Sequence, residues 1–248
     1  MSYTKVLVVS DNERIVNFFI DILNAQPNLR KIRHLRFVCG PEDTKLIGKK
    51  FGDFIIEGMD IKEDYEEIIR DYDLVISAHC KQIFPAKLTT STKCINIHPG
   101  LNPFNRGWYP QVFSILNGLP LGATIHEIDP EIDHGAIIDQ IEVAVDSWDT
   151  SLDAYNKVQD AERELIERSI ESILNGTYNT LQPREEGNLN LKKDFEALRE
   201  INLDEAVTFG QAIDRLRALS HGEFKNAYFY DKNTNQKIYI SVRLEREK

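Results

Sequence analysis

Three cysteines in 248 residues are too few and too scattered for a disulfide framework. Cys39, Cys80 and Cys94 lie mostly inside apolar runs, the pattern of reduced core thiols in a cytosolic protein. Short-spaced His and Cys pairs of the kind that hold zinc are missing, so no metal is expected. No apolar run reaches the roughly 20 residues of a membrane-spanning helix. No charged-then-apolar leader opens the chain either. Both absences predict a cytoplasmic protein without membrane contact. Positive charge is also scarce, with 30 Lys and Arg against 40 Asp and Glu, a net charge of -10. Proteins that clamp long nucleic acid carry a basic face, so no nucleic-acid partner is expected. A small anionic ligand stays open, because it needs only a few local cations and backbone donors. Gly-x-Gly-x-x-Gly does not follow the first strand, which removes the main support for a dinucleotide site. Ser10 and Ser77 have no nucleophile elbow around them, which argues against a serine hydrolase.

What is present is a run of short apolar segments separated by amphipathic ones. Lys5 to Ser10, His34 to Cys39, Phe54 to Ile56, Leu74 to Ser77 and Cys94 to His98 read as strands, several buried on both faces. Between them, Glu13 to Leu23 and Asp60 to Arg70 carry helical spacing, the first capped by Asp11 or Asn12. Further on, Tyr109 to Asn117 and Ser151 to Leu174 read as helices, and Ala123 to Ile128 and Ala136 to Val145 as strands. Strands alternating with helices predict an open, mostly parallel α/β sheet. Ligands of such sheets sit outside the carboxyl ends of the strands. That rule points to Ser10, to His79 and to Asn96-Ile97-His98. Asn179 to Leu191 is polar and broken by Pro183 and Gly187, so the main domain is expected over 1–180 and a tail over 181–248. In the tail, Asp204 to Leu219 predicts a helix with Ala206, Phe209, Ile213 and Leu216 on one stripe. Phe224 to Tyr230 and Lys237 to Leu244 flank a turn-rich Asp231-Lys232-Asn233-Thr234-Asn235, the pattern of a β-hairpin. An isolated hairpin is marginal in water, so this one is expected to pack on something, a second copy of the chain being one choice.

The densest chemical signal is Asn96-Ile97-His98-Pro99-Gly100. Side chains alternate along a strand, so Asn96 and His98 share a face, and Pro99 and Gly100 end the strand just there. A second signal is the acidic loop Asp129-Pro130-Glu131-Ile132-Asp133-His134-Gly135. A carboxylate from that loop reaching an imidazole would fix its tautomer and raise its basicity. Amide, imidazole and carboxylate together suit acyl transfer. Taken alone, Asn-x-His also fits two residues that merely satisfy local hydrogen bonds, and Asp133 also fits a turn former.

The stretch from Asn96 to Gln140 resembles the folate-dependent formyltransferases. The matching pieces are Asn96-Ile97-His98-Pro99-Gly100, Gly122-Ala123-Thr124-Ile125-His126 and Ile132-Asp133-His134-Gly135. Three more pieces are similar to the branch that formylates amino groups of nucleotide-linked sugars. These are His79 to Pro85, Asn102 to Pro110 and Leu219 to Ala227. The resemblance implies a Rossmann-like formyltransferase fold, catalytic roles for Asn96, His98 and Asp133, and N10-formyltetrahydrofolate as co-substrate. It implies Asn96 and His98 as hydrogen-bond donors to the developing oxyanion. Asp133 would orient His98 and help remove the amine proton. The acceptor implied is a dTDP-linked amino-dideoxy sugar, with dTDP-4-amino-4,6-dideoxyglucose preferred, used in surface polysaccharide such as O-antigen. A homodimer is expected through the tail.

Under that reading the folate lies against Gln82, Ile83, Phe84 and Asp129. The nucleotide sugar meets Ser10, His79, Lys81, Asn102, Asn105, Arg106, Trp108 and Tyr109, with Arg106 on the pyrophosphate. Phe224, Lys225 and Tyr228 contact the nucleotide. Ile83 and Phe84 equally fit core packing, Trp108 and Tyr109 the start of a helix, and Phe224 and Tyr228 hairpin packing. Rival functions are a 3-amino-sugar formyltransferase, a formyl-folate hydrolase, a non-catalytic nucleotide-sugar binder and a tRNA formyltransferase. The acidic charge and short tail disfavour the last.

Overall fold

The computed structural model describes residues 2–26 and 32–247. Its main sheet has seven strands in the order β10-β9-β7-β6-β1-β2-β5. These are β1 (Lys5–Val9), β2 (His34–Cys39), β5 (Glu57–Gly58), β6 (Leu74–Ala78), β7 (Lys93–His98), β9 (Leu121–Glu127) and β10 (Ile137–Val143). The pairs β5-β2, β2-β1, β1-β6 and β6-β7 are parallel. The pairs β7-β9 and β9-β10 are antiparallel. The open, mostly parallel α/β sheet expected from the sequence is therefore present. The central strands are apolar because both faces are covered. One core cluster, on α1 (Glu13–Ala25) and α5 (Ser151–Asn175), packs Phe19, Phe37, Ile76, Ile97, Leu165 and Ile166. The other face gathers Leu7, Val9, Val75, Ile61, Ile68 and Leu88, on α2 (Tyr65–Asp71) and α3 (Ala86–Ser91).

Local signals set the element ends. Asn12 caps α1, its side chain accepting from the backbone N–H groups of Arg14 and Ile15. Thr150 and Asp153 form a capping box at the start of α5. Four expectations change. Phe54–Ile55 (β4) pairs only with Lys50–Phe51 (β3), and the main sheet takes its edge from Glu57–Gly58 instead. The helix expected from Asp60 starts at Tyr65, because the Asp60 side chain binds the N–H groups of Lys62 and Glu63 in a turn. The helix expected from Asp204 starts at Phe209 (α7, Phe209–Leu219), where Thr208 and Gln211 form a capping box. The polar segment before it holds order of its own, namely β11 (Leu189–Asn190) and α6 (Lys192–Arg199). β11 pairs in parallel with β8 (Arg106–Gly107).

The hairpin is present as β12 (Ala227–Tyr230) and β13 (Lys237–Ile240). Phe195, Ala218, Leu219 and Ala227 join the larger core cluster, so the tail packs on the sheet domain. The outer stripe of α7 stays uncovered, with Phe209 91% exposed and Ile213 45% exposed. Among the described residues no helix is long and apolar enough to cross a membrane.

Candidate active site

β1 lies between β2, which follows it in the chain, and β6, which the chain reaches by crossing back. The carboxyl ends of β1 and β6 therefore flank the reversal of strand order, where such sheets open a crevice. One strand further, β7 carries Asn96 and His98 on one face. His126 of β9 stands directly opposite Asn96 on the neighbouring strand. The loop after β9 folds back over this face and brings Asp133 onto it.

The structure brings the three predicted catalytic side chains together. The Asn96 amide Nδ2 donates to Asp133 Oδ1 at 2.9 Å and lies 3.3 Å from His126 Nε2. Asp133 Oδ2 accepts from the Gly107 backbone N–H at 3.1 Å and lies 3.4 Å from His98 Nδ1. His126 Nδ1 faces the Glu127 carbonyl at 2.8 Å, so its proton sits there and Nε2 accepts from Asn96. His98 Nε2 is buried and has no hydrogen-bond partner. A Cβ on Gly100 would lie 2.5 Å from that nitrogen, so only glycine leaves it uncovered.

The electrostatics separate the two groups. Burial pushes the His98 imidazole down to about 4, against the pull of Asp133, so it is neutral at ordinary pH. Burial alone would raise the Asp133 carboxyl. His98, His126 and the Gly107 N–H outweigh it and hold the group well below the usual carboxylate range. The result is a neutral imidazole beside a carboxylate. With Nδ1–H toward the carboxylate, the orphan Nε2 carries a lone pair and can take a proton. Both hydrogens of the Asn96 amide are already engaged, so donating to a new oxygen means exchanging one. The longer bond, to His126, is the easier to give up.

The remaining predicted residues divide by what their side chains already do. Ser10 is fully buried, and its hydroxyl is used in the turn to Asn12. Gln82 accepts from the Ile61 N–H and donates to the Met59 carbonyl, so it ties its own loop to the sheet. Phe84 packs on the second core cluster, whereas Ile83 is 79% exposed. Asp129 pairs with His134 at 2.8 Å and so raises that imidazole's pKa. Lys81 is exposed, with its backbone N–H on Asp11. Asn105 is fully buried and bonded to Ser114, Asn117, Asn188 and Asn190. Trp108 stacks on Tyr109, which stacks on Phe195, so the start of α4 (Pro110–Asn117) is packed as a core corner. Asn102 and Arg106 both face the Asp133 loop. Phe224 is 70% exposed beside His221, while Tyr228 and Lys225 pack within the hairpin.

Sequence reasoning passed over two residues with a strong signal. His126 lies in one of the matching motifs, and period-2 alternation places it on the Asn96 face. Glu162 is fully buried on α5, four residues after Val158 and three before Leu165, inside the apolar stripe. Its two oxygens lie 2.8 Å from Nε2 of His79. An acidic residue at core spacing is a flag that a partner waits for it. All three cysteines are free, and burial pushes the Cys80 and Cys94 thiols up to about 12, which suits inert core residues.

Known proteins resemble this chain along most of its length. Residues 60–170 match the family described as formyl transferase, and residues 194–246 match an N-formyltransferase dimerization C-terminal domain. A dTDP-4-amino-4,6-dideoxyglucose formyltransferase of Mycobacterium bovis is 52% identical over 76% of this chain and 80% of its own. The chain belongs to the formyl transferase family. It is a formyltransferase. A 4-N formyltransferase from Francisella tularensis superposes with a TM-score of 0.92 at 44% identity, covering 98% of this chain and 99% of the other. A sugar N-formyltransferase from Shewanella sp. gives a TM-score of 0.91 at 41% identity, covering 99% of each. These full-length likenesses group it with the sugar N-formyltransferases.

Proposed function

We propose that this formyltransferase moves the formyl group of N10-formyltetrahydrofolate onto the amine of dTDP-4-amino-4,6-dideoxyglucose, for surface polysaccharide. The observation that carries the chemistry is the orphan Nε2 of His98 beside an ionised Asp133. The acceptor rests on the mycobacterial and Francisella relatives, both 4-amino formylating enzymes by name.

His98 Nε2 accepts the proton that the attacking amine loses, and returns it to the departing folate nitrogen. Asp133 fixes the ring and stabilises the imidazolium while it exists. Asn96 turns one amide hydrogen toward the oxygen that gains charge as the amine adds to the formyl carbon. This shifts the division of labour expected from the sequence: the proton passes to His98 rather than to Asp133. The exposed Ile83, on the loop after β6, is an apolar surface that suits a flat folate ring. The rest of the rate comes from holding two substrates in line. The bare Phe209 stripe, in a segment matching a dimerization domain, supports a homodimer that buries it.

The test is a direct assay with N10-formyltetrahydrofolate and the 4-amino and 3-amino dTDP-dideoxyglucoses, read by product mass. A gain of one formyl group, faster on the 4-amino sugar, supports the proposal. A faster 3-amino reaction, or release of formate with no gain on either sugar, overturns it.

A further inference from the structure

We infer that Arg106 and the strap of chain that covers it, residues 186–190, are positioning elements for Asp133, so that the linker to the C-terminal segment sets the geometry of the active site. The inference rests on the reading of Asp133 as a catalytic residue.

Asp133 sits at φ 49, a left-handed conformation that a non-glycine residue keeps only where its surroundings hold it. Besides the Asn96 amide from β7, three donors hold Asp133 and its neighbour Ile132, and these three come from one short segment. Asn102 Nδ2 donates to the Asp133 carbonyl at 2.7 Å. Arg106 Nη1 donates to the Ile132 carbonyl at 3.2 Å, and the Gly107 N–H donates to the carboxylate itself. The 102–107 segment has little regular structure of its own. Thr124 and Gln140 hold its Asn102 end and Ser114 and Asn117 hold Asn105, and the linker fixes the rest. Arg106 N–H donates to the Asn188 carbonyl and Trp108 N–H to the Asn190 carbonyl, both at 2.9 Å. Asn105 N–H donates to the Asn188 side chain at 2.8 Å. Gly187, at φ 68, lies flat on Pro103, and a Cβ there would come within 2.0 Å of the Pro103 carbonyl oxygen.

The Arg106 guanidinium completes the clamp. It is 5% exposed, and its Nη2 donates to Glu186 Oε1 at 2.7 Å, while its Nε has no partner. Glu186 is 70% exposed at its side chain, so it closes the guanidinium from the solvent side. The strap cannot drift far, because Leu181 exchanges two backbone hydrogen bonds of 2.8 Å with Ile137 just upstream. Asn102, Arg106, Asp133, His134 and Glu186 line a cavity of about 220 Å³ under it. A buried cation needs its counter-charge held in place. Without Glu186 the fork is free to turn toward that cavity and away from Ile132, taking the Asp133 loop with it. A ligand phosphate on Arg106 would have to expel Glu186 first, which favours a positioning role over direct contact.

The test compares Glu186→Ala, Glu186→Gln and the control Glu185→Ala. The acceptor is whichever amino sugar the unaltered enzyme formylates, so an error in the acceptor assignment leaves this test intact. Glu186→Ala is expected to lower kcat by about 10- to 100-fold. KM for both substrates should stay within about two-fold and the melting temperature near the parent value. Glu186→Gln, which keeps an oxygen for Arg106, should recover most of kcat, and Glu185→Ala should match the parent. An unchanged kcat in Glu186→Ala, an equal loss in Glu185→Ala, or a rise in acceptor KM alone would overturn the inference. The last outcome would put Arg106 and Glu186 in the acceptor pocket.

Discussion

His79 and His98 stand at the carboxyl ends of adjacent parallel strands, since Ala78 pairs with Ile97 in the β6-β7 register. Both are deeply shielded from solvent. They differ in what their ring nitrogens do. Nε2 of His79 faces both oxygens of Glu162, and Nδ1 meets Asn12 and Tyr155 at 3.3 and 3.2 Å. Nothing on that ring is left over. His98 has a carboxylate near Nδ1 and nothing on Nε2. A buried polar atom without a partner is disfavoured, so its persistence points to a bound species that will use it. A satisfied histidine is architecture, and an unsatisfied one at a strand end is chemistry.

The comparison breaks most sharply at His98. His98→Asn keeps a polar group of similar size but removes the base. Its kcat should fall by about 10²- to 10⁴-fold, with nucleotide-sugar binding by calorimetry nearly unchanged. A variant with near-parental kcat would move the base elsewhere. At the other histidine the expected effect is on stability. Glu162→Ala leaves His79 facing a cavity without its counter-group, and breaking such a buried pair costs about 3–5 kcal/mol. Denaturant melts should show that loss. Full stability in Glu162→Ala would mean that the pair contributes nothing and that the contrast between the two histidines is wrong. Gly100→Ala sharpens the contrast from the other side. Its methyl group would push the His98 ring out of place, so kcat should fall by about 10²-fold, with a loss of about 1–3 kcal/mol in stability from the overpacking.

How much of this was legible in the sequence follows from the range of each signal. Asn96 and His98 are two residues apart on one strand, so period-2 alternation alone sets them on one face. The strands β1, β2 and β7 are apolar runs with Pro, Gly or capping residues at their ends, and they were read to within a residue. Asp133 needed the three-motif resemblance, because its approach to His98 depends on a loop folding back over the sheet. The β8-β11 ladder left no trace, since two residues paired with two others have no periodicity. α6 is eight residues with one buried side chain, Phe195, too little for an amphipathic stripe. The apolar spacing sets the start of α7 too early, although the Thr208-x-x-Gln211 capping box marks it. The apolar Ala206 before it extends the apparent stripe, and it is exposed.

The smallest expected effect is on the pH dependence of stability, and it isolates His98 from the other groups. Its pKa in the folded protein is about 4. An unfolded histidine titrates near about 6.5. Between those values the unfolded chain binds a proton that the folded one refuses. Stability from this site is therefore complete above about pH 6.5 and lost progressively as the pH falls toward about 4. Asp133 works in the same direction but lower, because a depressed carboxyl gives up its stabilisation only below the usual carboxylate range. Denaturation series at pH 7 and pH 5 should thus differ by about 1–3 kcal/mol more in the parent than in His98→Asn. An imidazole NMR resonance that vanishes in the variant should titrate near about 4. If that resonance titrates at the ordinary histidine position, His98 is an imidazolium at the acid end of the working range. The orphan Nε2 would then be a hydrogen-bond donor to the oxyanion rather than the base.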